Sequence, residues 1–218
     1  MPILRRHALL ALPCVLSARA TGAERLHPVT PEEPAGAALV AWLRQGGLVL
    51  FFRHADTLGE PCDRSFRLGD RDGQRNLSAA GRAQAARIGA RLAELGISVA
   101  WPVLAGPVYR ARDTAELAFG TERVRVTESL TADDFAGARL DRVLAEHRRL
   151  FSEPMPAGAN RVLIGHRTPA IMVIGDAVAG RAFPEGAAVV IVPEGQGRFT
   201  PLGVLLPAPI PGAGFHGC

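Results

Sequence analysis

The chain has 218 residues, enough for one well-buried domain and too few for two comfortable ones. All 25 residues counted as Lys or Arg are Arg; this excludes a lysine-dependent phosphate loop and a Schiff-base mechanism and leaves phosphate binding to the guanidinium fork. The formal charge of +4 falls to +1 when residues 1–20, which carry three Arg and no acid, are set aside, and no basic stripe is interleaved with aromatics, so nucleic acid is not an expected partner.

Arg5-Arg6-His7, the apolar run Ala8 to Leu16 and the small residues around Ala18 and Ala20 have the layout of a signal peptide. Cleavage after Ala20 is expected, and the paired arginines admit a twin-arginine route. The apolar run is too short to span a bilayer, so the mature chain is expected to be periplasmic or secreted, without stable membrane insertion. Residues 21–34, with Pro28, Pro31 and Pro34, read as a leader, and residues 35–218 as the domain. In an oxidising compartment Cys62 and Cys218 could pair or remain two free thiols.

In chain order, Ala37 to Gln45 reads as a short helix ended by Gly46-Gly47, and Leu48 to Phe52 as a strand buried on both faces. Ser78 caps a helix running to Leu95, where Ala85, Ile88, Leu92 and Leu95 recur at helical spacing and Gly96 closes it. A strand at Pro102 to Ala105 leads into a helix from Val108 to Phe119. Strands at 124–126 and 161–164 are separated by a helix from Leu140 to Leu150. A helix at Pro169 to Val178 and two closing strands, 187–192 and 199–206, complete the pattern. The alternation predicts a three-layer α/β/α sandwich around a mostly parallel sheet, whose ligands gather at the carboxyl ends of the strands.

Polar residues stand at three such ends. Arg53-His54 follows the first apolar run, Gly106 to Arg110 follows the second strand, and Gly165-His166 ends another. An imidazole attacks phosphorus when its other nitrogen is fixed as a donor, and an adjacent guanidinium can hold the phosphoryl oxygens. Alone, Arg53-His54 reads first as a strand-end surface pair, and Arg110 with Arg112 as readily as a solvated helix face. Two histidines also raise a metal site, but no third ligand stands at a zinc-like spacing.

Together the motifs resemble the histidine phosphatase superfamily, in the phosphoglycerate mutase-like branch that includes bacterial phosphohistidine phosphatases. Arg53-His54-Ala55 stands at its Arg-His-Gly motif and Thr57 at its hydroxyl position. Leu77 to Ala85 matches the Leu-Thr-x-x-Gly-x-x-Gln-Ala segment, Gly106 to Ala115 the Ser-Pro-x-x-Arg-Ala segment, and His166 the late strand-end histidine. Ala55 replaces the usual Gly and Gly106 the common Ser. The resemblance implies a phosphatase with His54 as nucleophile and with Arg53, Arg110 and His166 on the transferring phosphoryl group, without cofactor or metal. Arg75 and Arg167 are further candidates for substrate contact, as is Thr57. Glu128, Asp133 and Asp134 compete for the role of proton donor, and Asp133 or Asp134 is the expected one. A small phosphorylated molecule or a phosphorylated envelope glycan is the expected substrate. A mutase-type phosphoryl transferase, or a phosphate-binding module that has lost turnover, would share the same pocket.

Overall fold

The computed structural model describes residues 25–58 and 62–212. The expected signal segment and Cys218 lie outside them. Among the described residues seven strands form one sheet: β1 (Pro28–Val29), β2 (Val49–Arg53), β3 (Val99–Ala105), β4 (Val124–Val126), β5 (Asn160–Gly165), β6 (Ala188–Gly195) and β7 (Arg198–Leu205). Their spatial order is β1-β7-β6-β2-β5-β3-β4. The run β2-β5-β3-β4 is parallel throughout, and β1 is parallel to β7; β6 is antiparallel to both its neighbours. The sheet is therefore mostly parallel, as the alternation of elements implied.

Every residue of β2 is buried. Because successive side chains point to opposite faces, its apolar run supplies two cores at once. Leu50 and Phe52 join Leu39 and Leu43 of α1 (Pro34–Gln45), Ile88 and Leu92 of α2 (Ala79–Glu94), and Ala111 and Ala115 of α3 (Tyr109–Phe119). Val49 and Phe51 face the other way, onto Leu150 and Phe151 of α5 (Leu140–Ser152) and Ala170 and Val173 of α6 (Arg167–Ile174). The result is the expected α/β/α sandwich. A further short helix, α4 (Asp133–Ala136), lies between β4 and α5.

The sheet begins before residue 35. Pro28 and Val29 pair with Val204 and Leu205, and the Leu26 amide donates to the Ala177 carbonyl at 2.8 Å. Part of the segment read as a leader thus completes the sheet edge, where a proline that cannot donate is tolerated. β3 begins at Val99, three residues earlier than its apolar stretch indicated, and α6 starts at Arg167 and ends at Ile174, with a separate turn at Asp176–Val178. At its start α2 follows the sequence closely, for Ser78 Oγ accepts the Gly81 amide at 2.8 Å. Gly81 is required on steric grounds, since a Cβ there would lie 1.9 Å from the Asp56 carbonyl oxygen.

Candidate active site

The loop after β2 is stitched to its neighbours through the backbone. The Arg53 amide donates to Ala187 O at 3.0 Å, the His54 amide to Gly165 O at 3.1 Å, and the Gly186 amide to His54 O at 2.9 Å. Thr114 Oγ1 accepts the Ala55 amide at 2.9 Å and donates to Arg110 O at 2.6 Å, which ties the first turn of α3 to the same loop. Strand ends and helix start therefore converge. Arg53, His54, Arg110 and His166 are brought together with none more than 5% exposed, and the His54 and His166 ring centroids are 5.4 Å apart.

His54 Nδ1 lies 2.9 Å from the Ala55 carbonyl oxygen. A carbonyl only accepts, so Nδ1 carries the proton and Nε2 keeps its lone pair. Burial, then the Arg110 and Arg53 guanidiniums, hold the His54 pKa well below the ordinary imidazole value. His166 is pushed the same way by burial first and Arg110 second, and its Nε2 has no hydrogen-bond partner among the described residues. Both rings are thus neutral near pH 7. The positive charge of the site comes from arginine rather than from imidazolium. Burial, followed by the neighbouring arginines, lowers Arg53 to about 10, so it still carries its charge at neutral pH.

The two departures from the family motifs have steric explanations. A Cβ at Gly106 would meet Leu130 O at 2.2 Å, which leaves no room for the common Ser. The Ala55 methyl is fully buried and packs with Leu77 and Ala85, so it sits in a small apolar cluster.

The remaining candidates divide. Arg75 is buried beside Glu185 Oε1, with Nη2 at 3.7 Å. Arg167, the first residue of α6, is half-buried and reaches Gly180 O at 3.5 Å. Thr57 is fully enclosed, and its hydroxyl donates to Glu185 Oε1 at 2.8 Å, so that group is committed to a protein carboxylate instead of being presented to a ligand. Asp133 and Asp134 open α4. Asp134 is exposed, whereas Asp133 is half-buried with its carboxyl pKa raised, first by burial and then by Asp134, against the lowering influence of the Thr168 side chain, two residues along the chain from His166.

Two acids went unnoticed in the sequence. Glu185 Oε1 accepts Arg53 Nη2 at 3.1 Å, and its Oε2 accepts the Thr57 amide at 3.1 Å. Asp63 accepts Arg110 Nη1 at 3.0 Å and the Arg75 amide at 2.7 Å. The only local hints were Pro184-Glu185-Gly186 ahead of a buried strand and an acid next to Cys62. Cys62 is disulfide-bonded. Among the described residues no group of three or more His, Cys, Asp or Glu is placed to hold a metal, and no helix is long and apolar enough to cross a membrane.

Residues 49–153 match the family profile described as histidine phosphatase superfamily (branch 1). No curated protein matches the chain. Among solved structures, the protein histidine phosphatase SixA complexed with tungstate is 18% identical, with 73% of this chain and 97% of that one covered and a TM-score of 0.50, a likeness of fold. A putative phosphohistidine phosphatase SixA from Agrobacterium tumefaciens is 20% identical, covering 74% of this chain and 99% of its own, with a TM-score of 0.46. The alpha-ribazole phosphatase from Shigella flexneri is 14% identical, covering 71% and 94%, with a TM-score of 0.46.

Proposed function

We propose a specific reaction for a chain that belongs to the histidine phosphatase superfamily (branch 1): hydrolysis of small phosphomonoesters through a phosphohistidine on His54. As a phosphoric monoester hydrolase of that superfamily, the protein needs a nucleophile, a cradle for three phosphoryl oxygens and a proton for the leaving group. The observation that carries the reading is the His54 Nδ1 contact to Ala55 O, which leaves an unprotonated Nε2 on a buried ring whose nearest charges are the Arg110 and Arg53 guanidiniums.

In this reading Nε2 attacks phosphorus in line with the departing oxygen. Arg53, Arg110 and a neutral His166 donate to the equatorial oxygens, and buried guanidiniums do this in a medium where each contact counts for more than in water. Asp133, held protonated to higher pH than an ordinary Asp, gives its proton to the leaving oxygen and then takes one from the attacking water. The arginines supply the charge that a divalent ion provides elsewhere, so the reaction is proposed to run without metal.

The protein is further proposed to be exported. The layout of residues 1–20 and the disulfide at Cys62 both fit an oxidising compartment. A phosphorylated envelope glycan or a soluble phosphate ester would be met there. The test is turnover of an aryl phosphate in the presence of chelator by the wild-type chain and by His54→Ala. Loss of activity together with loss of acid-labile, base-stable labelling from a 32P substrate is expected, and full activity in His54→Ala overturns the reading.

A further inference from the structure

Glu185 occupies a place that neither the nucleophile nor the phosphate cradle requires. Its backbone follows Pro184 in the loop entering β6, far along the chain from β2. Its side chain is 6% exposed and reaches behind the nucleophile. Arg53 Nη2 donates to Oε1 at 3.1 Å, the Thr57 hydroxyl to Oε1 at 2.8 Å and the Thr57 amide to Oε2 at 3.1 Å, so the carboxylate is fixed from three directions. Arg75 Nη2 stands 3.7 Å from Oε1. In that position Oε1 lies 3.9 Å from His54 Nδ1, on the proton-bearing side of the ring and opposite the nitrogen assigned to attack.

We infer that Glu185 is a positioning residue that acts electrostatically, its fixed carboxylate stabilising the positive charge that the His54 ring acquires when Nε2 bonds to phosphorus. The inference rests on the reading of His54 as nucleophile. In the forward step the Nε2 lone pair forms the N–P bond, the P–O bond to the leaving group breaks, and the leaving oxygen takes its proton from Asp133. The other ring proton stays on Nδ1, donated to Ala55 O, so the phosphorylated ring is cationic. In the second step water attacks phosphorus and gives a proton to the Asp133 carboxylate, the N–P bond breaks, its electron pair returns to Nε2, and the ring becomes neutral again. An anion 3.9 Å from Nδ1 therefore favours the intermediate over both states that flank it. It speeds phosphorylation of His54 and restrains its departure.

This gives Glu185 a signature that a scaffolding role lacks. A residue that only held Arg53 and Thr57 in place would, when altered, slow both half-reactions, because both transfer the same phosphoryl group across the same arginines. Removing the charge alone slows the first and leaves the second unchanged or faster.

The experiment is rapid-quench kinetics on the full mature chain with a 32P-labelled aryl phosphate, comparing wild type, Glu185→Gln and Glu185→Asp. In Glu185→Gln the phosphorylation rate is expected to fall by about tenfold or more while phosphoenzyme hydrolysis holds or rises. Glu185→Asp keeps the charge, withdrawn from the ring by one methylene, and is expected to lie between. Equal slowing of both steps in Glu185→Gln, or slower hydrolysis alone, overturns the inference and leaves the phosphohistidine reading standing. Should Glu185→Gln not fold, the same ratio read on Glu185→Asp decides in the same way. Absence of any labelled wild-type enzyme overturns the phosphohistidine reading and this one with it.

Discussion

Asp63 lies against Arg110 with its carboxylate oxygens 3.0 Å from Nη1, both side chains less than one-tenth exposed. The guanidinium proposed to hold the phosphoryl group thus already has a partner within the protein. Removing one member of such a buried pair leaves an uncompensated charge and costs about 3–5 kcal/mol. Asp63→Ala is expected to unfold at lower temperature than wild type, and inorganic phosphate to restore more of its stability than it adds to the wild-type chain, because the anion then supplies the missing charge. Calorimetry with and without phosphate reads both effects.

His147 provides a pH prediction. It is completely buried, edge-on to Phe51 and Phe151, with Nδ1 2.8 Å from Val143 O, and burial lowers its pKa to about 4. The unfolded chain takes up a proton near the ordinary value of 6.5 while the folded chain does not. Stability is therefore undiminished above that value and falls as pH drops through it, by about 1.4 kcal/mol per unit for each such group until the folded pKa is reached. His54 and His166 act in the same direction. Urea unfolding at pH 7, 6 and 5 should show a steep decline, and His147→Leu should reduce its slope by about one proton.

The two neighbouring acids of α4 should separate by leaving group. Asp133→Asn is expected to slow hydrolysis of an alkyl phosphate by about 10²–10⁴-fold and of 4-nitrophenyl phosphate far less, because nitrophenolate departs without a proton. Asp134→Asn, altering an exposed side chain, should leave both rates near wild type. A leaving-group series measured on the two variants distinguishes them, and equal losses would assign the proton elsewhere.

At Gly106 even one carbon has no room. With Leu130 O 2.2 Å from the position of a Cβ, Gly106→Ser, the substitution that restores the common family residue, is expected to destabilise the fold by about 1–3 kcal/mol. Thermal unfolding of the variant measures it, and a stability equal to wild type would mean that the strand-to-helix turn yields.

The parts of the site that sequence made visible are those specified locally. His54 and His166 each follow a short apolar run, and Arg110 is the second residue of a helix that opens just after Pro107, so strand ends and a helix start bring them into one place. Glu185 and Asp63 acquire their roles only through contacts made across 132 and 47 residues, and no periodicity signals such a partner. Thr57 shows the converse: its position in the motif suggests a ligand group, yet the distant Glu185 claims its hydroxyl. The early edge strand escaped notice because two residues, one of them proline, carry no alternation to detect. The turn at Gly195 to Gly197 joins β6 to β7 as a local hairpin; the sequence reading found both strands but ended the first at Val192, three residues before the structure does.

Gln84 is a buried residue of α2 whose Oε1 accepts the Asp56 amide at 2.9 Å while its Nε2 donates to Glu185 O at 3.4 Å and Ala208 O at 3.0 Å. One donor faces the oxygen and two carbonyls face the nitrogen, so a single orientation of the amide serves all three. A glutamate of the same shape would set an anion against two carbonyl oxygens, and a hydrophobic residue would leave three backbone groups unpaired. This side chain therefore acts as a spacer gauge among three segments distant in sequence: the turn that carries His54, the loop that carries Glu185 and the strand-exit near Ala208. The 3.9 Å separation of the His54 ring from the Glu185 carboxylate is held by a neutral group that hydrogen-bonds neither of them through its side chain.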